Sequence, residues 1–321
     1  MQAIVMTATG APDVLVVREV GEPRPSEGQV VLRAEAVPIL YPETEVRAGA
    51  FPFPAPLPEV FGFQAAGVVT DIGAGVDRTL LGTRVVASTG GFGSYAELVA
   101  VEADSVTPIP ADLTTEHAAA ILMPGSVALT LMRTAGVAAG ETILVEAAAT
   151  GVGSCLTQLC AAAGARVIGT AGGARKARLA HENGAHEVLD HTASGWAEQL
   201  ADLLADGTVD VVFDSIGGES LTPLLDLITP LRGRILSYGR LDGAPAQLGA
   251  TELILRGLTL TGCAGTAWLD EVARQRSAAL TATAQGLLTP VIDSVLPLAD
   301  AAKAHQMLEN RVAFGTVVLR P

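Results

Sequence analysis

Between Glu141 and Ala180 the chain reads ETILVEAAATGVGSCLTQLCAAAGARVIGTAGGARKARLA. An apolar segment ends near Ala147, small residues turn through Gly151, Val152 and Gly153 into a helical pattern, and a second apolar segment leads to Gly172, Gly173, Arg175 and Lys176. The chemistry such a run can perform is anion binding. Small residues let a pyrophosphate approach the backbone, and a helix start offers N–H groups with no intrahelical acceptor and the positive end of a dipole. Two glycines alone mark any tight strand-to-helix turn; a strand before and a helix after make a dinucleotide site the stronger reading.

The second strand chooses between dinucleotides. A site for NAD places Asp or Glu about 20 residues past the turn, where it accepts from the ribose 2′-hydroxyl. The segment ARVIGTAGGARKARLA holds no acid. Gly172 and Gly173 open space there instead, and Arg175 and Lys176 suit a 2′-phosphate, so NADPH is the expected cofactor. The alternative is that Arg175, Lys176 and Arg178 form an ordinary solvated helix face.

No metal site is expected. Three cysteines, Cys155, Cys160 and Cys263, make no cluster of zinc-ligand spacing, and His181, His186 and His191 recur every five residues across Gly184. His117 and His305 stand alone, and no GxSxG elbow occurs. In an enzyme of this kind the hydride carrier does the hard chemistry while the protein binds, orients and polarises.

The elements that must position these residues fall into two rhythms. Up to about residue 122 short strands alternate with Gly and Pro (MQAIVMT, DVLVVREV, GQVVLRAEAVPI, AAGVVTDIG, GTRVVAS, GSYAELVAV), the pattern of a β-rich barrel-like domain. YPETEVRAG reads as a short helix and AFPFPAPLPEVFG as an irregular loop. From Glu141 apolar segments recur with helical patterns between most of them (TILVEA, ARVIGTA, EVL, VDVVFDS, GRILSYG, LTLTGC), which implies a doubly wound parallel sheet. The closing FGTVVLRP is a strand without a following helix. The expected division is therefore 1–122 plus 264–321 around an α/β unit of 123–263.

Composition bounds the remainder. A chain of 321 residues with 49% hydrophobic and 17% charged residues has material for two cores. A net charge of −14 argues against nucleic acid and anionic membranes as partners. No leader pattern precedes an apolar core at Met1, no run approaches the ~18 apolar residues of a membrane span, and the odd cysteine count fits a reducing, cytoplasmic setting.

The chain resembles the medium-chain dehydrogenase/reductase superfamily, and within it the zinc-free, zeta-crystallin-like quinone oxidoreductases. The likeness is carried by FGFQAAGVVTDIGAGV, GSYAELVAVEADSVTPIPADLTTEHAAAI, AAATGVG, VDVVFDSIGG, GRILSYG and AHQMLENRVAFGTVVLRP. It implies a Rossmann domain inserted into a discontinuous GroES-like domain. It also implies that Gly151, Val152 and Gly153 line the pyrophosphate and that Gly172 and Lys176 hold the 2′-phosphate. Ser215, Ile216 and Gly217, then Ser237, Tyr238 and Gly239, would flank the path from adenosine to nicotinamide, with Gly262 and Cys263 at the nicotinamide end. LTLTGCAG resembles the edge strand through which family members pair, so a homodimer is expected.

Departures concentrate at the reacting end. The family's Asn-Pro-x-Asp is Leu40-Tyr41-Pro42-Glu43, and its Gly-Leu-Thr-Ala is Gly125-Ser126-Val127-Ala128. A common Tyr near the adenosine phosphate is His191, and a Lys near the last strand is Thr316. The expected reaction is hydride transfer from NADPH to a quinone or another conjugated carbonyl. Tyr41, then Ser126, are the candidate donors to the developing oxyanion, and Phe51, Phe53, Phe61 and Phe63 are candidates for an apolar slot. Plain packing is the alternative for the phenylalanines, and cleft closure for Tyr41. Three rival readings are an enoyl-thioester reductase, an NADPH-binding cyclase or dehydratase without net redox, and a non-catalytic nucleotide-binding protein.

Overall fold

A computed structural model of the chain describes residues 1–50, 57 and 59–321. The chain divides into two compact units, Met1–Leu122 with Pro290–Pro321, and Met123–Thr289. The return to the first unit comes at 290, not at the expected 264. The intervening residues are tied to the second unit by Glu271, which pairs with Arg133 at 2.9 Å, and by Thr289, whose amide donates to Gln158 at 2.7 Å.

The first unit contributes β1 (Gln2–Met6), β2 (Leu15–Glu19), β3 (Gln29–Pro38), α1 (Tyr41–Ala48), β4 (Glu59–Val60), β5 (Gln64–Ile72), β6 (Arg84–Ser88), β7 (Leu98–Glu102) and β8 (Val106–Pro108). The division falls inside α2 (Thr115–Ala135). The second unit follows with β9 (Thr142–Val145), α3 (Gly151–Ala162), β10 (Arg166–Thr170), α4 (Ala174–Glu182), β11 (Glu187–Leu189), α5 (Trp196–Leu204), β12 (Val211–Asp214), β13 (Arg234–Ser237), α6 (Ala250–Arg256), β14 (Thr259–Gly262), α7 (Thr266–Arg274) and α8 (Arg276–Ala284). β15 (Ile292–Pro297), α9 (Ala301–Glu309) and β16 (Thr316–Arg320) complete the first unit.

In the first unit, β3 is long and rich in Val and Ala, and it sits between β16 and β5 in the order β15-β16-β3-β5-β6-β8, with β7 also paired to β3. A smaller sheet runs β2-β1-β4. Inward residues such as Ile4, Val30, Leu32, Val69, Val85 and Val317 form one core. The sequence reading missed β15, which pairs parallel to β16. Its IDSVLP is short and does not alternate apolar with polar residues, and the positions it exposes are Val295 and Pro297.

In the second unit, parallel strands run β11-β10-β9-β12-β13-β14. TILV in β9 and VVFD in β12 are near-continuous apolar runs because helices cover both faces of such a sheet. The strand order reverses between β9 and β12, the place where α/β sheets open to ligands. α2 is long and apolar enough to cross a membrane by length and composition, which the sequence reading did not register. Most of that stretch is buried, with Ala118, Ile121, Ala128 and Leu131 at 2% exposure or less, as in the core helix of a folded protein.

Candidate active site

The last residues of the six parallel strands are Val145, Thr170, Leu189, Asp214, Ser237 and Gly262. Nearly all of the dinucleotide candidates lie just beyond them, on one edge of one sheet. After β9 the backbone enters a left-handed conformation at Ala147, with φ of +50°, and again at Gly151, with φ of +56°. Open space surrounds the position where a Gly151 side chain would start. Gly153 has the opposite reason to be glycine, since a β-carbon there would lie 2.2 Å from the Ala147 carbonyl oxygen. The turn thus offers backbone to a ligand at one glycine and packs helix on strand at the other, as a pyrophosphate cradle requires. Thr170 Oγ1 accepts from the Ala147 amide at 3.2 Å and bonds His191 Nδ1 at 3.2 Å, joining the ends of three neighbouring strands.

Gly172 and Gly173 lead into α4, which carries exposed Arg175 and half-buried Lys176. The structure adds an acid that the second strand lacks. Asp190, one residue past β11, accepts from the Gly173 amide at 3.1 Å, and from the Thr192 amide and hydroxyl at 2.9 and 2.6 Å. Those hydrogen bonds, the Thr192 hydroxyl first, hold its carboxyl below the ordinary range. The sequence reading sought the acid on the strand after the turn, and the fold supplies it from the next strand over.

Ser215, Ile216 and Gly217 are pinned by two buried acids. Glu146, 1% exposed, accepts from the Ser215 and Ile216 amides through Oε2, both at 3.1 Å. Asp214, fully buried, accepts from the Gly217 amide at 2.8 Å and from Ser237 Oγ at 2.6 Å. Burial foremost, then the charge of Asp214 and a hydrogen bond to it, push the Glu146 carboxyl well above the ordinary range. Burial holds the Tyr238 phenol protonated. A β-carbon on Gly239 would meet the Ser215 carbonyl oxygen at 2.5 Å, so that chain crossing admits only glycine. Gly262 lies beside Ser237 in the sheet, the buried Cys263 amide donates to the Ser237 carbonyl at 2.8 Å, and burial pushes the Cys263 thiol up to about 11. Thr316 begins β16, in the other unit.

In the first unit Tyr41 opens α1 and is 40% exposed. Two residues on, Glu43 is fully buried: Oε2 accepts from the Leu40 amide at 2.7 Å and the Tyr95 hydroxyl at 2.8 Å, and Oε1 accepts from the Phe63 amide at 2.7 Å. The Tyr95 oxygen also meets His305 Nε2 at 3.0 Å. The direction of that bond follows the His305 tautomer, and among the described residues the buried Nδ1 has no hydrogen-bond partner. Burial raises Glu43 to about 7, and burial together with Arg47 lowers His305 to about 3. His305, solitary in the sequence, is part of this network. Phe61 is not a slot wall. It is fully buried, edge-on to Tyr95 at 5.4 Å, His305 at 5.8 Å and Phe92 at 5.9 Å. Phe63 is half-buried, and Phe51 and Phe53 lie outside the described residues. Ser126, on α2, is 1% exposed and belongs to the second unit. Among the described residues no three His, Cys, Asp or Glu side chains gather as metal ligands, and the three cysteines are free and buried.

Residues 26–111 match the alcohol dehydrogenase GroES-like domain and residues 151–282 match the family described as zinc-binding dehydrogenase. A quinone oxidoreductase of Pseudomonas aeruginosa is 32% identical, with 99% of each chain covered. A 2-haloacrylate reductase of Burkholderia is also 32% identical, over 100% of this chain and 99% of the relative. The crystal structure of the Escherichia coli quinone oxidoreductase complexed with NADPH superposes with a TM-score of 0.91 at 30% identity, covering 100% of both chains. The chain belongs to the medium-chain dehydrogenase/reductase superfamily, among its quinone oxidoreductases. It is an oxidoreductase, with a GroES-like unit and a Rossmann unit.

Proposed function

We propose that this enzyme is a zinc-independent, NADPH-dependent reductase of quinones and other conjugated carbonyls. The observation that carries the reading is the glycine cradle after β9, lined up along one sheet edge with Arg175, Lys176 and His191. Gly151, Val152 and Gly153 would take the pyrophosphate at the start of α3, and Gly172, Arg175, Lys176 and His191 the 2′-phosphate. Gly217, Ser237, Gly239, Gly262 and Cys263 would border the remaining length of the cofactor. The nicotinamide, when bound, supplies the hydride. Tyr41, exposed at the first position of α1, is the hydroxyl we assign to the acceptor's developing oxyanion, with Ser126 second. A reduced quinone collects its protons from water, so no buried acid is needed for this step.

The 2-haloacrylate reductase relative favours a second acceptor class, an alkene conjugated to a carboxyl group. Hydride would add to the β-carbon and a proton to the α-carbon. Following NADPH absorbance with benzoquinones, 9,10-phenanthrenequinone, 2-chloroacrylate and crotonyl thioesters decides among these. Quinone turnover is the expected result; oxidation with the thioester alone overturns it, and binding without oxidation by any acceptor points to a non-redox role.

We also infer a homodimer through β14, which among the described residues has a strand neighbour on one side only, with Leu231 (81%), Ile254 (77%) and Leu255 (74%) exposed in the same unit. Light scattering should give twice the chain mass, and Leu255→Glu should shift it toward monomer; a wild-type monomer ends this inference. The free cysteines agree with a reducing, cytoplasmic setting.

A further inference from the structure

Glu146 is an acid where the sheet offers no reason for one. It follows the three buried residues Ile143, Leu144 and Val145 of β9, stands beside β12 at the strand-order reversal, and precedes the cradle by five positions. One Glu146 oxygen accepts two consecutive amides, Ser215 and Ile216, while Asp214 takes the next amide, Gly217, and the Ser237 hydroxyl, so two buried acids hold one segment. The amide donors favour an ionised Glu146, but burial and the charge of Asp214 outweigh them. Two ionised carboxylates in hydrogen-bond reach, both buried, would repel each other strongly. The other titratable group facing the pair is Tyr238, with Cys155 behind it, and burial holds both protonated. The carbonyls of the same segment are taken as well, Ser215 by the Leu241 amide at 3.0 Å and Ile216 by the Asp242 amide at 2.9 Å.

We propose that Glu146 is a positioning residue: a neutral carboxyl that donates its proton to Asp214, fixes residues 215–217 through their amides, and keeps a second negative charge away from the pyrophosphate cradle. The proposal rests on the reading of residues 151–153 and 215–217 as cofactor-lining. Glutamine reproduces both functions, since its carbonyl accepts the amides and its NH2 donates to Asp214, but it cannot ionise. Alanine provides neither.

The test measures NADPH affinity by nucleotide fluorescence, together with amide hydrogen exchange at 215–217, in wild type, Glu146→Gln and Glu146→Ala. At pH 7 the glutamine variant should bind within about threefold of wild type, and the alanine variant should bind at least about tenfold more weakly with faster exchange at 215–217. Across the alkaline range in which the protein stays folded, the wild type should lose affinity relative to Glu146→Gln, because only the wild type can acquire the second charge. A glutamine variant as weak as alanine, or a wild-type-to-glutamine ratio constant with pH, overturns the proposal. Should the alanine variant fail to fold, the glutamine pH profile decides alone. A wild type that takes up no NADPH overturns the cofactor reading, while exchange at 215–217 still judges the positioning.

Discussion

Each unit buries a glutamic acid beyond the reach of water, and the two are held by different company. Glu146 leans on another acid and on the amides of a loop, all at the ligand-facing edge of a parallel sheet. Glu43 reaches the amides of Leu40 and Phe63, a phenol, and through it a histidine with an unpaired ring nitrogen, inside a barrel core. An acid beside an acid keeps its proton because the alternative is two adjacent charges. An acid beside a phenol and a low-pKa imidazole has no such neighbour, and Glu43 sits at about 7, within reach of ordinary buffers. On the proposal above the first arrangement acts on ligand binding, whereas the second belongs to the core of the unit that carries Tyr41.

The largest effect that tests this separation is expected at Phe61. Truncation to alanine empties the space among Tyr95, His305, Phe63 and Phe92 and should cost about 3–5 kcal/mol of unfolding free energy. If Phe61 is core and no part of a slot, the quinone KM of the protein that remains folded stays within about twofold of wild type at 15 °C. A selective rise in KM would return Phe61 to the substrate site.

The next effect is the pH dependence of stability, and its sign separates the two partners. Glu43 is raised from 4.5 to about 7, so its contribution is complete below 4.5 and is lost as pH rises through 7. His305 is lowered from 6.5 to about 3, so its contribution is complete above 6.5 and is lost as pH falls through 3. Between 4.5 and 6.5 the two slopes oppose and nearly cancel. Relative to wild type, Glu43→Gln should gain stability with rising pH from 4.5 to 7, on the order of 3 kcal/mol in total, and His305→Asn should show the reverse trend as the unopposed slope of Glu43 emerges. Denaturant melts from pH 4.5 to 7.5 measure both. Parallel curves for all three proteins would mean that the network is not proton-linked.

The two units were not equally legible in the sequence. Six parallel strands could be read because each apolar run is bounded by its own glycine turn, and that alone places Gly151, Lys176, Ser215 and Gly262 on one edge. The buried acids were illegible for a physical reason: an acid at the end of a strand looks like a solvent-facing terminus until its partner, 68 residues away in the case of Glu146 and Asp214, is brought beside it. His305 was equally mute, 210 residues from Tyr95. Phe61 and Phe63 look alike in the sequence because spacing reports which strand a ring belongs to, not which ring the barrel encloses.

The smallest expected effects concern the adenosine end, where Lys176 and Asp190 oppose each other. Lys176→Ala should weaken NADPH about tenfold or more while leaving NADH nearly unchanged, because only the former carries the 2′-phosphate; equal losses would contradict the phosphate assignment. Asp190 lies on the Gly173 amide, so a phosphate at this turn meets a carboxylate where an N–H would otherwise be available. Asp190→Asn removes the charge and keeps one acceptor oxygen, enough for Thr192 or for Gly173 but not for both, since the two bond different carboxylate oxygens. Because Asp190 is partly exposed and its charge is screened by solvent, NADPH affinity should improve only by about twofold to threefold in low salt, with the gain shrinking as ionic strength rises and NADH unaffected. Calorimetric titrations of both nucleotides at two salt concentrations would detect it. Weaker NADPH binding in the asparagine variant would mean that the turn needs the carboxylate's stronger hydrogen bonds more than the phosphate suffers from its charge.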